Sequence, residues 1–273
     1  APWFSAVQQA TESGRGGLGS VLVFAAGNDR AAADDIGLQA VTSDPRVIAV
    51  AATTASGVVA DFSNRGAGLL TSAIGVNVLA PEPGQDSAYG YYIMYGTSFA
   101  APQVSAVAAL MLQVNPNLGW RDVQEIIAAA SYAPPPSAAG FTSNGAGNWN
   151  GGGMHFSNDL GFGVLDANVA VNLARAWTLQ STDANLFQAT FTQSDDWAVG
   201  AAATASSTLL VSNDARIEHV RVRLSDTGLL AAYTTLVLIS PDGTRSVLNN
   251  QTGMVAGAYQ TCKLDLSGYS ITS

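Results

Sequence analysis

Seven residues, Gly96-Thr97-Ser98-Phe99-Ala100-Ala101-Pro102, stand where a loop enters an apolar helical run. A serine at a helix start has the positive end of the dipole behind it, beside backbone N–H groups that lack intrahelical partners. Those groups are able to stabilise an alkoxide or a tetrahedral oxyanion forming at Ser98. Gly96 lets the chain approach a substrate closely, the small residues 100 and 101 let the helix pack tightly, and Pro102 fixes the first turns. The same serine would serve equally as the N-cap of a core helix, a role for which Ser is favoured. The second candidate is Asn28, 70 residues earlier, where the apolar run Val21–Ala26 ends in Gly27-Asn28. An asparagine just past the C-terminal end of a parallel strand sits where open α/β sheets place their ligands. Its N–H₂ is a donor to developing negative charge, a contribution of about 3–4 kcal/mol in an oxyanion hole. A turn asparagine is the plainer alternative.

The elements that must position these residues are α/β in character. Val21–Ala26 and Val47–Ala52 are continuous apolar runs, as strands buried on both faces of a parallel sheet should be. A shorter run, Val76–Ala80, stops at Pro81. The pattern predicts helices over about Ser98 to Val114, Trp120 to Ala130 and Ala167 to Ala176. Asp122 suits the positive end of the second, where Gly119 is only a fair N-cap. Ala133–Pro136 and the Gly- and Asn-rich Asn144–Gly153 must be loop. After Trp177 the pattern changes to short alternating segments: Ile217–Leu224, Thr234–Ile239 and Arg245–Leu248. Pro241-Asp242-Gly243-Thr244 forms a tight turn between the last two. Residues 1–177 thus read as an α/β domain and 178–273 as antiparallel β-structure, a sandwich.

Taken together, the serine heptapeptide and Ala25-Ala26-Gly27-Asn28 resemble the subtilisin-like serine proteases, the subtilase family. Its serine motif, Gly-Thr-Ser-x-Ala-x-Pro, is matched at every fixed position, an agreement expected by chance on the order of once per million positions. The resemblance implies Ser98 as nucleophile, Asn28 as oxyanion donor, and Ala25 and Gly27 as a wall of the specificity pocket. A narrower resemblance is to the kexin-like, proprotein-convertase branch. It rests on Gly14–Ser20, Trp120–Gln124 and Gly161–Ala167, and on His219–Val222 and Ser240–Ser246 in the β-rich tail, which is similar to that branch's jelly-roll P domain. The implied architecture is the C-terminal half of a three-layer subtilisin-like domain (1–177) followed by an incomplete P domain (178–273).

Acyl transfer by serine also needs a base and a carboxylate that orients it. The resemblance puts both before Asn28, yet no histidine precedes Ser98, and His155 and His219 follow it. His155 is expected in a loop and His219 on the surface of the β-region. The triad Asp and His are accordingly expected from a missing N-terminal segment of the same protease. The chain is expected to be inactive alone, to associate through uncovered apolar sheet faces, and to stop inside the P domain. Kexin-like enzymes favour basic residues before the cleaved bond, through pocket carboxylates and a bound calcium. Asp34, six residues after Asn28, matches one such carboxylate, and Asp35 is a neighbouring candidate. A pair of solvated loop carboxylates is the alternative. The branch's Tyr-Ser-Glu, whose Glu helps hold calcium, stands here as Phe62-Ser63-Asn64, and an amide lacks the charge that makes such a site tight. No metal ligand is assigned, and calcium is the one cofactor that the resemblance implies.

Composition narrows the partners. The 273 residues carry 11 basic and 20 acidic side chains, a net charge of −9, which argues against nucleic acid and anionic membrane surfaces. One cysteine, Cys262, excludes an intrachain disulfide and a Cys-rich zinc site. The longest apolar run, Val104 to Leu112, is about half of what spans a bilayer. The expected partner is a peptide or protein substrate, and the expected location is secreted, extracellular or periplasmic, by family. Two rivals remain at this point. One is a non-catalytic remnant or binding module carried by the P domain. The other is a serine esterase of different fold using His155, although its Gly-x-Ser-x-Gly elbow is absent.

Overall fold

The computed structural model describes residues 2–32, 34–81, 90–135, 140–143, 154–192, 204, 206–211, 217–223, 235–241, 243–250 and 259–262. Helix α1 (Pro2–Ser13) leads to β1 (Leu22–Ala25), β2 (Val47–Thr53) and β3 (Leu69–Ile74). Strands β4 (Val78–Pro81) and β5 (Tyr91–Met94) precede α2 (Thr97–Val114) and α3 (Trp120–Ala130). Four short strands follow, β6 (Ser131–Tyr132), β7 (Thr142–Ser143), β8 (His155–Phe156) and β9 (Val164–Leu165), before α4 (Ala167–Ala176). The later region holds β10 (Val220–Arg223), β11 (Thr235–Ile239), β12 (Arg245–Asn250) and β13 (Tyr259–Cys262).

The main sheet has the order β1-β2-β3-β9-β6, parallel except for β6. All seven residues of β2 are buried, because side chains alternate between two covered faces. Ile48, Val50 and Ala52 join the helix-side core with Val104, Met111 and Ile127, whereas Ala49 and Ala51 meet Ala26, Ile36 and Leu69 on the other face. Helix α2 is long and apolar enough, by length and composition alone, to cross a membrane. It packs instead on β1, β2 and β3, burying Ala100, Val104, Ala108 and Met111 at helical spacing.

The short apolar run Val76–Ala80 contributes β4, which starts at Val78 and forms an antiparallel hairpin with β5 apart from the main sheet. The central strand of the main sheet is β3, which the sequence reading did not name; its polar Thr71 and Ser72 are fully buried and donate to the Gly163 carbonyl at 3.1 and 2.8 Å.

In the later region β10 pairs with β13 and β11 with β12, all antiparallel. The turn joining β11 to β12 closes with Gly243 N–H on the Ser240 carbonyl at 3.0 Å and Thr244 N–H on Ser240 Oγ at 2.9 Å. Leu248 is buried with Ala67 of the first region, against Ile217, Val220 and Leu238. The Asn144–Gly153 loop, the ends of the Ile217–Leu224 and Thr234–Ile239 segments, Asp242 and the terminal Ile271-Thr272-Ser273 lie outside the described residues.

Candidate active site

Gly96, with φ 142°, turns the chain from the β4–β5 hairpin into α2 and is the N-cap. Thr97 is therefore the first helical residue and Ser98 the second, so Ser98 is not the cap that its residue type alone would allow. Its side chain is exposed, and its hydroxyl has no hydrogen-bond partner among the described residues. Pro102 lies inside α2 and removes the N–H that would otherwise reach the Ser98 carbonyl. Gln103 strengthens this turn, its Nε2 donating to the Phe99 carbonyl at 2.7 Å and to Ile74, at the end of β3, at 2.6 Å.

Asn28 follows β1 and meets the start of α2. Its Oδ1 accepts from the Thr97 N–H and from Thr97 Oγ1, both at 3.0 Å, while the Gly27 N–H donates to Thr97 Oγ1 at 3.1 Å. With the amide oxygen engaged twice, the amide nitrogen must face away from Thr97. A Cβ on Gly96 would lie 3.6 Å from Asn28 Nδ2 and 3.8 Å from the Ser98 nitrogen, so both donors border one small space. The Ser98 N–H is among those that a first helical turn leaves without an intrahelical partner. The arrangement offers two N–H donors beside an exposed hydroxyl, which is what an oxyanion in acyl transfer requires.

Beneath Gly27 lies a polar group. Ala25, half-buried at the end of β1, pairs with Val50, and Gly27, with φ 101°, has no room for a Cβ because Asn64 Nδ2 occupies that place. Asn64 is fully buried: its Oδ1 accepts from the Asp29 N–H at 2.7 Å, and its Nδ2 donates to the Ala26 carbonyl at 3.1 Å and to Asp34 Oδ2 at 2.8 Å. Gln39 Nε2 donates to the same Asp34 oxygen at 2.5 Å. Asp34 and Asp35 are thus not a solvated pair. Asp34 is half-buried in this network, whereas Asp35 is 4% exposed and its Oδ1 accepts from the Gly37 N–H at 2.8 Å. Burial pushes the Asp35 carboxyl up to about 6, against the opposing pull of that N–H and of Arg65 and with a further push from Asp34.

His155 is in β8 rather than a loop, half-buried, its ring edge-on to Phe141 at 5.3 Å and its Nε2 without a hydrogen-bond partner. Neither His155 nor any other described residue is bonded to the Ser98 hydroxyl, which removes the support for an esterase built on His155. His219, expected on the surface, is half-buried one residue before β10.

The model of the subtilase family matches residues 1–163. The chain belongs to that family. Among curated subtilase relatives, the PC3-like endoprotease variant B of Hydra vulgaris is 29% identical over 257 residues, covering 88% of this chain and 35% of that protein. The dibasic-processing endoprotease of Schizosaccharomyces pombe is 30% identical over 257 residues, with the same coverage of 88% and 35%. Human furin is 27% identical over 246 residues, 86% of this chain and 30% of furin. The chain is homologous to the furin- and kexin-type convertases, and it spans about a third of the length of these relatives. Its fold matches the serine protease of Aeromonas sobria, solved with its chaperone, at a TM-score of 0.73 and 21% identity, over 92% of this chain and 52% of that one. The subtilase fold is therefore shown, a largely parallel sheet flanked by helices.

The calcium that the kexin-like branch implies does not fit the residues around Asp34. Ca²⁺ takes oxygen ligands, several of them charged, and Asn64 turns its N–H₂ to Asp34. No group of three or more His, Cys, Asp or Glu suited to a metal occurs among the described residues.

The subtilase's second helix mouth, at α3, is filled. Asp122 is fully buried and accepts from the Gly119 N–H at 2.8 Å, the Ser181 N–H at 2.9 Å and Trp177 Nε1 at 3.0 Å. Arg121 forms a two-point pair with Glu218 and donates to the Thr182 carbonyl at 2.8 Å and Asn185 Oδ1 at 3.0 Å. Burial would lower the Arg121 guanidinium, but Glu218 outweighs it and the net direction is upward. Thr97, Gln103 and Gln39 are site residues whose roles the sequence left unassigned, and Asn64, read there only as standing where a calcium-holding Glu would be, is the residue that binds Asp34.

Proposed function

We propose that this chain carries the serine and oxyanion-binding parts of a secreted, subtilisin-like serine endopeptidase that acts on peptide or protein substrates. Ser98 Oγ attacks the scissile carbonyl carbon and gives its proton to a base, while the carbonyl electrons move onto oxygen. Asn28 Nδ2 and the Ser98 N–H hold that oxyanion. Collapse expels the amine, which takes the proton from the base, and water then releases the acyl group from Ser98. The base and its orienting Asp come from another segment of the same protease, since no histidine precedes Ser98 and none is bonded to it. Ala25 and Gly27 form the pocket wall and Asp34 its acidic floor, suited to a basic side chain before the cleaved bond. The region from 178 onward acts as part of a P domain, docked through Arg121 and Asp122.

The carrying observation is the shared space beside an exposed Ser98 hydroxyl that both donors border, 3.6 and 3.8 Å from a Gly96 Cβ position. The test is peptide hydrolysis by the complete protease and by its Ser98→Ala form. Loss on the order of 10⁴-fold or more in kcat is expected. Retained turnover in Ser98→Ala would overturn the assignment.

A further inference from the structure

Which atom of Asn64 faces Asp34 is fixed by its other contacts. Oδ1 must be the acceptor, because it meets the Asp29 N–H, and Nδ2 must be the donor, because it meets the Ala26 carbonyl and Asp34 Oδ2. A flipped amide would oppose donor to donor once and acceptor to acceptor twice. Gln39 is set by Asp34 itself: a carboxylate oxygen only accepts, so the Gln39 atom on it is Nε2, and Oε1 is left to meet the Thr42 hydroxyl at 3.0 Å. Two N–H₂ groups therefore converge on one carboxylate oxygen. Asn64 is 0% exposed and fills the space that a side chain on Gly27 would need.

We infer that this amide clasp on Asp34 takes the place of a bound cation, and that the pocket floor beside Asn28 holds its shape without calcium. A hard-cation site gathers six to eight oxygens around one ion, and its carboxylates repel each other when the ion leaves. Here the position facing Asp34 presents hydrogens instead of lone pairs. The other nearby buried carboxylate, Asp35, is engaged with the Gly37 N–H. Neutral amides, not a second carboxylate, face the Asp34 oxygen, and the push of Asp34 on Asp35 is opposed by the Gly37 N–H and Arg65, so a cation would have to break bonds from Asn64 and Gln39 to enter. The floor should accordingly be indifferent to chelators.

The inference does not rest on turnover, because binding and melting report it directly and so separate its failure from failure of the peptidase reading. The protein and its Asp34→Asn and Asn64→Asp forms are titrated calorimetrically with CaCl₂ and melted in CaCl₂ and in EDTA. The expected result is that wild type and Asp34→Asn respond alike to calcium, any common response arising elsewhere in the chain. Asn64→Asp, which sets a carboxylate against Asp34, should melt lower in EDTA and recover in CaCl₂. A calcium-dependent rise of about 3 °C or more in wild type that is absent from Asp34→Asn would overturn the inference, since only a ligand bound to the folded site raises Tm in that way. So would an Asn64→Asp form that melts in EDTA like wild type. Should that form fail to fold, the wild-type and Asp34→Asn titrations still decide.

Discussion

Two helices of this molecule start after a glycine N-cap, and their mouths are used in opposite ways. At α2 the nearest atom to a Cβ on Gly96 would be 3.6 Å away, the first turn holds no acidic residue, and Ser98 stands exposed. At α3 a Cβ on Gly119 would collide with the Ser181 backbone, and nearly every helical residue is buried. The physics is common to both: unpartnered N–H groups and the positive end of a dipole. At α3 a permanent carboxylate, Asp122, satisfies that potential and spends it on docking the chain from Trp177 to Thr182. At α2 the Thr97 N–H is taken by Asn28 Oδ1 and the Ser98 N–H is left open, as the proposed oxyanion role requires. A helix mouth is a structural joint or a reactive site according to whether the sequence supplies its own anion.

Removing the anion from the closed mouth should have the largest effect. Asp122→Ala leaves the Gly119 N–H, Ser181 N–H and Trp177 Nε1–H without their acceptor, and each buried donor so abandoned costs about 1–3 kcal/mol. A loss of about 4 kcal/mol in unfolding free energy is expected, read from urea denaturation. A loss below about 1 kcal/mol would mean that the mouth is held by packing rather than by Asp122.

At the open mouth the cost should appear in rate, not stability. Asn28 is exposed, and Asn28→Asp keeps the oxygen that accepts from the Thr97 N–H and hydroxyl while removing only the amide nitrogen, so it should melt nearly as wild type. In the complete protease its kcat should fall on the order of 10²–10³-fold, about 3 kcal/mol of barrier. A fall in stability with unchanged kcat would make Asn28 a structural residue and erase the contrast.

Much of this was legible in the sequence because it is local. Trp120–Ala130 and Ala167–Ala176 are the helices that were expected, since Asn115-Pro116 ends one helix and periodic apolar residues follow. Ser98 and Asn28 stood out because residue type and position combine within short motifs. What escaped depends on partners far along the chain. Strand β3 was missed because Thr71 and Ser72 break its apolar run, and their acceptor, Gly163, lies about 90 residues on. The Asp34–Asn64 bond spans 30 positions. Asp34 and Asp35 looked alike as neighbours, yet one joins an amide network and the other is sealed under a turn.

Asp35 offers an intermediate case, a buried carboxylate at a helix start with one N–H donor, from Gly37, where Asp122 has three, two from the backbone and one from Trp177. Burial lifts its carboxyl to about 6, above the ordinary carboxylate range, so the folded state holds the proton more tightly than the unfolded chain. Stability from this group is full below about pH 4 and is lost as pH rises through about 6. Asp35→Asn keeps an oxygen for the Gly37 N–H and removes the buried charge. It should be about 2 kcal/mol more stable than wild type at pH 7.5 and equal to it near pH 4. Equal gains at both pH values would show that charge is not the cause.

The smallest and most discriminating effect belongs to Thr97, which joins the two donors of the open mouth. Its hydroxyl gives a hydrogen to Asn28 Oδ1 and takes one from the Gly27 N–H, at 3.0 and 3.1 Å. Thr97→Val preserves shape and removes both bonds, leaving only the Thr97 N–H on Asn28 Oδ1 to hold the amide. The amide nitrogen then spends less time aimed at the space beside Ser98, so the transition state suffers more than the bound substrate. In the complete protease kcat should fall about tenfold, equivalent to about 1.4 kcal/mol, with KM nearly unchanged. Thr97→Ser, which retains the hydroxyl, should restore the rate. If both substitutions lower Tm but leave kcat intact, the hydroxyl only ties β1 to α2, and the open mouth is as much a structural joint as the closed one.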